Sequence, residues 1–278
     1  MSAAAAVETA LGQGDAALEH LRDAQRLDPR SVSVHRRLGR VLLWLRRYRE
    51  ARQAIDAGLS LSPDNLGLIE QRAMTLLGEG NLAGARDYLV ARPGGVEPTE
   101  LVAFLAYYWD LGWVLTVEQR EILLRLTPAA FDGDRGSWAL CLAQLLSWRG
   151  DAAQTQEHAE AARKVLEAQL QVVPDDPIRR AGLGLALAYL GRGEEAIREG
   201  QRAVELRPVT KDADLGTYYL HQLVRIYILA DQPDEAIDNL ERLLQIPYFV
   251  SPSWLKIDPN FDPLRGNPRF EKLVAKAK

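Results

Sequence analysis

The chain has 278 residues, 47% of them hydrophobic and 26% charged, which is ordinary for a soluble globular protein with one large domain or two smaller ones. A formal net charge of −4 argues against a protein that coats nucleic acid, and a single cysteine, Cys141, excludes an intrachain disulfide and a cysteine-based metal site. No run approaches the ~18 apolar residues of a spanning helix, and MSAAAAVETALGQGD has no basic stretch ahead of an apolar core, so no membrane insertion is expected and the cytoplasm is the expected compartment.

Taken from the N-terminus, the chain repeats itself. Ala17, Ala51 and Ala85 are 34 apart in succession, as are Leu21, Ile55 and Leu89. Leu27 with Leu61, Pro29 with Pro63, Gly39 with Ala73 and Pro174 with Pro208 keep the same interval of 34. Within one unit, Val34, Leu38, Val41 and Leu42 stand at helical spacing, Arg46-Arg47-Tyr48 forms a short turn, and a second amphipathic run through Ala51, Ile55 and Leu59 stops at Pro63. Small residues at Gly39, Ala51 and Gly58 let the two helices approach closely. A hairpin this short leaves an apolar face that only the next hairpin can bury, which predicts a solenoid.

The first repeats carry an unusual charge window. Arg22 to Arg52 holds ten arginines against Asp23, Asp28 and Glu50, a local +7 in an otherwise acidic chain. Two readings stand: a solvated arginine-rich surface, or a docking face for an acidic partner.

Further along, Thr99 to Pro128 has the length of a repeat but places Thr116 and Leu123 where small residues are expected, with Trp109 and Trp113 near its turn. It reads as a degenerate hairpin, preceded by a loop at Gly94-Gly95. Ala129 to Arg135 (AAFDGDR) is the weakest linkage and a candidate bend. Gly136 to Pro174 turns at Gly150-Asp151 and has a second helix about two turns too long for the repeat. Cys141 lies in the apolar run from Trp138 to Ala143, where a small buried filler is expected.

The string Leu38-Gly39, Leu42, Tyr48, Ala51, Ile55, Gly58, Pro63 resembles the tetratricopeptide repeat. Leu183-Gly184, Leu187, Gly191, Ala196, Gly200, Ala203, Pro208 is a second copy, and Leu223-Val224, Tyr227, Ala236, Leu240, Leu243 with Pro247 is another. FDGDRGSWALCLAQ, GLGLALAYLGRGEEAI and WLKIDPNFDPLRGNPRF further resemble the C-terminal repeat arrays of bacterial serine/threonine kinase or adenylate/guanylate cyclase-like signalling proteins. The resemblance implies an all-α, right-handed α-α superhelix of about six to seven hairpins with a short C-terminal capping segment. N-terminal repeats would fill 1–128, divided as 1–31, 32–65, 66–96 and a degenerate 97–128. C-terminal repeats would fill 129–250, divided as 136–174, 177–210 and 217–250, and the cap would be 251–278.

The family binds partners on its concave surface, through fixed positions of each first helix. Carried onto this chain, those positions are Arg36 and Arg40 in the second repeat, Glu70, Gln71 and Met74 in the third, and Tyr218, His221, Gln222 and Arg225 in the last. Cations and amides on one face could hold a carboxylate through charge-assisted hydrogen bonds, although each could equally be a solvated groove position. The family's carboxylate-clamp set of Lys, Asn, Asn, Lys and Arg is absent.

No catalytic residue, cofactor or metal is expected. The sequence contains no GxxxxGK[ST] loop, no His-Glu-x-x-His and no GxSxG elbow. Gly182, Gly184, Gly191 and Gly193 are explained by packing and turns. His20, His35, His158 and His221 are too scattered for a shared metal, and Asp132-Gly133-Asp134 is better read as a turn leading into a helix at Ser137 than as a calcium loop. Trp44, Trp138 and Trp148 stand at apolar helical positions, where core packing and an exposed peptide anchor are the competing readings.

Near the end, Asp258-Pro259, Asp262-Pro263 and Asn267-Pro268 have the grammar of helix starts, the last launching a helix to about Lys276. Trp254, Ile257, Phe261, Leu264 and Phe270 are expected to cover the open face of the Thr217–Phe249 hairpin. The expected function is a non-catalytic scaffold that binds a protein or peptide partner, with an acidic one favoured by the arginine window. The alternative is a regulatory or sensor fragment of a signalling enzyme, a kinase or nucleotide cyclase, separated from its catalytic domain.

Overall fold

A computed structural model of the chain describes residues 2–91, 95–107 and 111–275. Gly94, Trp109 and the helix end expected near Lys276 lie outside the described residues. Helices follow one another in pairs: α1 (Ser2–Ala10) and α2 (Gly14–Leu27), α3 (Val32–Trp44) and α4 (Tyr48–Leu61), α5 (Leu66–Gly78) and α6 (Leu82–Val90). Then come α7 (Pro98–Tyr107) and α8 (Val117–Arg125), α9 (Arg135–Trp148) and α10 (Ala152–Val172), α11 (Pro177–Tyr189) and α12 (Gly193–Leu206), α13 (Leu215–Leu229) and α14 (Pro233–Gln245). Each helix packs on its hairpin partner and on the hairpin that follows, giving an all-helical solenoid with no strand among the described residues.

The repeat register is the burial pattern. Ala17, Ala51 and Ala85 are all fully buried, as are Leu21, Ile55 and Leu89. At Gly39 an added Cβ would stand 2.5 Å from Ile55 Cγ1, and at Gly184 it would stand 2.7 Å from Ile226 Cδ1 and 3.0 Å from the Ala196 carbonyl oxygen. The small residues are therefore required by helix-to-helix distance. In the hairpins other than α7–α8 the chain reverses through one residue in the left-handed region: Gly12, Arg46 and Gly80, successively 34 apart, then Gly150, Gly191 and Asp231.

The irregular units have local causes. Thr116, which breaks the small-residue pattern, is the N-cap of α8 in a reciprocal capping box with Gln119, and Leu123 is buried. The 112–114 segment is a 3-10 turn, Gly112–Val114, with Trp113 buried. AAFDGDR forms a second 3-10 turn, Pro128–Phe131, then left-handed Asp132 and Gly133, and ends on Asp134, whose carboxylate accepts from Ser137 N at 3.0 Å to start α9. α10 has 21 residues where α2, α4 and α12 have 14, the two extra turns expected of it.

After α14 the chain enters the C-terminal segment: α15 (Pro252–Ile257), a 3-10 helix (Pro259–Leu264) and α16 (Pro268–Ala275). Ser251 caps α15, Asp258 caps the 3-10 helix and Asn267 Oδ1 accepts from Arg269 N at 2.9 Å, with a proline at each first helical position. Asp262-Pro263 does not start a separate helix as expected; Pro263 lies within the 3-10 helix, which continues past it through Arg265 N donating to Asp262 O at 3.0 Å.

Candidate partner-binding site

Helices α3, α5 and α13 supply the concave positions, and the nine residues expected there divide by depth. Arg36 and Arg40 on α3 are exposed, while Glu70 on α5 and Tyr218 on α13 are half-buried. The residues farther along the same helices, Gln71, Met74, His221, Gln222 and Arg225, are buried, with Arg225 only 2% exposed. Five of the nine positions are thus buried, His221 beneath Tyr248, Phe249 and Phe261 of the chain's own C-terminal segment.

That segment does more than cap the last hairpin. α16 does sit on α14, where Arg269 reaches Asp238 at 2.6 Å and Glu241 at 3.3 Å, and the 3-10 helix Pro259–Leu264 lies on α13. The stretch before them crosses to the other end of the array. Arg46, in the α3–α4 turn, donates from Nε and Nη2 to Val250 O at 3.3 and 3.0 Å and from Nη2 to Ile246 O at 3.3 Å. Ser251 Oγ donates to Gly78 O at the end of α5, 2.7 Å away, and α15 packs on α5. Tyr248 meets Trp44 edge to face at 5.8 Å, and Trp254 meets Trp113 in the same way at 5.8 Å.

The first hairpin closes on the last as well. Ala213 N donates to Ala10 O at 2.7 Å, and Arg40 forms an ion pair with Asp214 while its guanidinium lies 4.8 Å over the Trp44 ring. Burial raises the Asp214 carboxyl above its ordinary pKa, opposed by Arg40. The arginine window is answered only in part within the molecule: Arg22 and Arg47 pair with Glu50 and Arg26 with Asp23, acids already counted in the +7, while Arg52 pairs with Glu79 and Arg40 with Asp214 from outside it. Arg30, Arg36 and Arg49 remain exposed on that surface.

Under the C-terminal segment lies a polar cluster. Arg225 Nη1 donates to Gln222 Oε1 at 3.0 Å, and His221 Nδ1 is 3.3 Å from Tyr248 OH while its ring stacks on Phe261 at 6.1 Å. His221 Nε2 and Gln222 Nε2 are buried with no hydrogen-bond partner among the described residues. Asp258 is fully buried; Oδ2 accepts from Trp254 Nε1 at 2.9 Å, and Oδ1 accepts from Asn260 N at 2.9 Å and Asn260 Nδ2 at 2.8 Å. Burial pushes the Asp258 carboxyl up to about 7, against those hydrogen bonds and the Arg225 charge. Burial, assisted by Arg225, pushes His221 down to about 3, so its ring is neutral.

Elsewhere the chemistry is structural. The Cys141 thiol donates to Ala106 O at 2.8 Å, and burial pushes its pKa up, away from the reactive thiolate. No group of His, Cys, Asp and Glu among the described residues is placed to hold a metal ion, and no helix among them is long and apolar enough to cross a membrane. Trp44 is buried, and Trp138 and Trp148 are partly buried against the core.

Sequence reasoning assigned no role to Arg46, Ser251 or Asp258 as partners in the groove. One signal was present: Arg46 takes the register position that Gly12 and Gly80 hold 34 residues to either side. A left-handed conformation costs a residue with a Cβ about 1–2 kcal/mol, which marks the side chain as used.

A stack of two-helix hairpins with a 34-residue register and a concave face formed by the first helices defines an α-solenoid interaction fold. The tetratricopeptide-repeat family matches residues 8–70 and again residues 149–209, so the chain carries tetratricopeptide repeats over those two stretches. The stretch between the two matches contains the degenerate α7–α8 hairpin. Among solved structures, the chain is similar to one in the Cut9-Hcn1 hetero-tetramer of the APC/C, at 17% identity and TM-score 0.48, over 98% of this chain and 48% of that one. This chain thus spans about half the length of that relative. A tetratricopeptide repeat protein of Parabacteroides merdae is similar at 15% identity and TM-score 0.45, over 91% of this chain and 93% of that one. YrrB, described as a TPR protein with an unusual peptide-binding site, is similar at 13% identity and TM-score 0.30, over 89% and 96%. A search of curated proteins returned no match.

Proposed function

We propose that the chain is a non-catalytic interaction scaffold that engages an acidic segment of a protein partner at the open mouth of its concave face. The observation that carries this reading is the split by depth: Arg36 and Arg40 are exposed and Glu70 and Tyr218 half-buried, above a floor that the chain fills itself. Arg36 is exposed, and its Cδ would lie 3.3 Å from a Cβ added at Gly67, so the α3 and α5 first turns present it from one surface. A partner carboxylate reaching Arg36 and Arg40 would form charge-assisted hydrogen bonds and would compete with Asp214 for Arg40. Tyr218, four residues along α13 from its N-cap Asp214, adds an aromatic wall with a polar edge.

Affinity purification from the native host with the intact chain and with Arg36→Glu and Arg40→Glu variants tests the reading. The intact chain is expected to retain a partner that both variants lose and that high salt releases. Identical recovery by all three would overturn it.

A further inference from the structure

The lower half of the groove is built as a receptor for a peptide, and the chain occupies it with its own C-terminal segment. We propose that the face formed by the ends of α3 and α5 with Trp113 and α13 accepts in trans a partner peptide of the same chemistry: an aromatic residue followed four positions later by Asp-Pro-x-aromatic. The chain's Trp254, Asp258-Pro259 and Phe261 are then an intramolecular stand-in that the partner displaces. This rests on the reading of the chain as an interaction scaffold, and names a second site below the mouth.

Three features favour a receptor over a simple lid. A cap needs only to cover the last hairpin, and α16 with the 3-10 helix already does so. The stretch 246–257 goes on to be read at its main chain by Arg46, which bonds two of its carbonyls, while its own Ser251 hydroxyl donates to Gly78 O. Carbonyl recognition of that kind is independent of the bound side chains, whereas the Trp254 and Phe261 sites give specificity.

The second feature is Arg46 itself. Its register siblings Gly12 and Gly80 adopt the left-handed region without penalty, and Arg46 adopts it at φ 57° with a side chain whose hydrogen bonds go to the C-terminal segment. The third is that the segment is an imperfect ligand. Gln222 Nε2 stays buried without a partner beneath it among the described residues, and a competitor that offered an acceptor there would gain what the cis segment forgoes.

A closed groove lowers the apparent affinity for any competitor by the fraction of time it is open, so loosening the cis segment must strengthen trans binding. The test uses the full chain and a fluorescent synthetic peptide with the sequence of residues 246–264, titrated by anisotropy. Wild type is expected to bind it weakly, and Trp254→Ala about tenfold or more tightly. Adding Arg46→Gly to Trp254→Ala removes the receptor's clamp while keeping the residue its sibling turns use, and is expected to return binding to the wild-type level or below. Ser251→Ala, which deletes one hydroxyl from the cis segment, is expected to move in the same direction as Trp254→Ala by a smaller factor.

The proposal falls if Ser251→Ala and any folded Trp254→Ala protein bind the peptide no better than wild type. It also falls if Trp254→Ala and wild type form dimers in sedimentation at the concentrations used, since the groove would then serve the tail of a second copy. Arg36→Glu leaves this titration unchanged if the two sites are separate. Failure here would leave the mouth reading standing, and failure of partner capture there would leave this one standing.

Discussion

Trp113 and Trp254 meet edge to face, ring centroids 5.8 Å apart and planes at 78°, with Phe249 4.9 Å from Trp254 on another side. The contact ties the 3-10 turn in the middle of the array to the segment that follows the last hairpin, and both indoles are almost completely buried. Trp254→Ala would remove the largest side chain of the segment and leave a cavity against Trp113. Such truncations cost about 3–5 kcal/mol. Equilibrium unfolding in urea should show a loss of that size, while Leu229→Ala, at a 37% exposed position, should stay within about 0.5 kcal/mol of wild type. Equal effects from the two substitutions would show that the segment is not an integral part of the fold.

A second prediction concerns the close approach of neighbouring hairpins. A methyl at Gly184 would meet Ile226 Cδ1 at 2.7 Å and two backbone atoms, Ala196 O and Gly200 N, at 3.0 and 3.2 Å. Backbone cannot move aside as a side chain can, so Gly184→Ala is expected to destabilise by about 1–3 kcal/mol. At Gly67 the nearest atom is Arg36 Cδ at 3.3 Å, the end of a flexible side chain. Gly67→Ala is expected to be neutral or to stabilise by up to about 1 kcal/mol, the helix-propensity difference. Thermal melts of the two proteins should therefore shift in different directions; a shared downward shift would contradict the packing argument.

Gly184 also shows what was legible in the sequence. Gly39, Gly184 and the Ala17–Ala51–Ala85 series could be placed because burial in a solenoid recurs at a fixed interval, and recurrence is visible in one dimension. The turn through Asp134 and the long α10 were also readable, since caps and helix lengths are local. The depth of His221, Gln222 and Arg225 was not legible. Polar residues at concave positions read as solvent-lining, and their burial depends on a segment that arrives from 246–264. Contacts such as Arg46 with Val250, 204 residues apart, leave no periodic mark. Only the non-glycine at a glycine position hinted at them.

Arg46→Gly separates fold from closure. The substitution relieves a left-handed non-glycine worth about 1–2 kcal/mol and deletes hydrogen bonds from a charged donor worth about 1.5–3 kcal/mol. Global stability is therefore expected to change by no more than about 1–2 kcal/mol in either direction. Amide hydrogen exchange should nevertheless rise selectively over 246–257, because the clamp acts there and nowhere else. Uniform exchange changes across α3 and α4 would mean that Arg46 serves the turn rather than the segment.

The buried pair His221 and Asp258 gives opposing pH dependences, and the signs can be separated by mutation. Asp258 has its folded pKa raised from 3.8 to about 7, chiefly by burial, so the folded state holds a proton that the unfolded state loses. Its contribution is fully present below about pH 4 and is lost as pH rises to about 7. His221 has its folded pKa lowered from 6.5 to about 3, also by burial and then by Arg225, so its contribution is present above pH 6.5 and is lost as pH falls towards 3. Between pH 4 and 6.5 the two slopes oppose each other, each at most about 1.4 kcal/mol per pH unit for one proton. Asp258→Asn removes the falling slope, so relative to wild type its urea stability should gain as pH is raised from 4.5 to 7. His221→Phe removes the rising slope, so relative to wild type it should lose over the same interval. The half-buried Arg163–Glu160 pair, in which hydrogen bonding to Arg163 holds Glu160 down at about 2, is common to all three proteins and cancels in the comparison. If both variants track wild type in parallel from pH 4.5 to 7, neither group titrates differently on folding, and the burial of the segment over them is not present in solution.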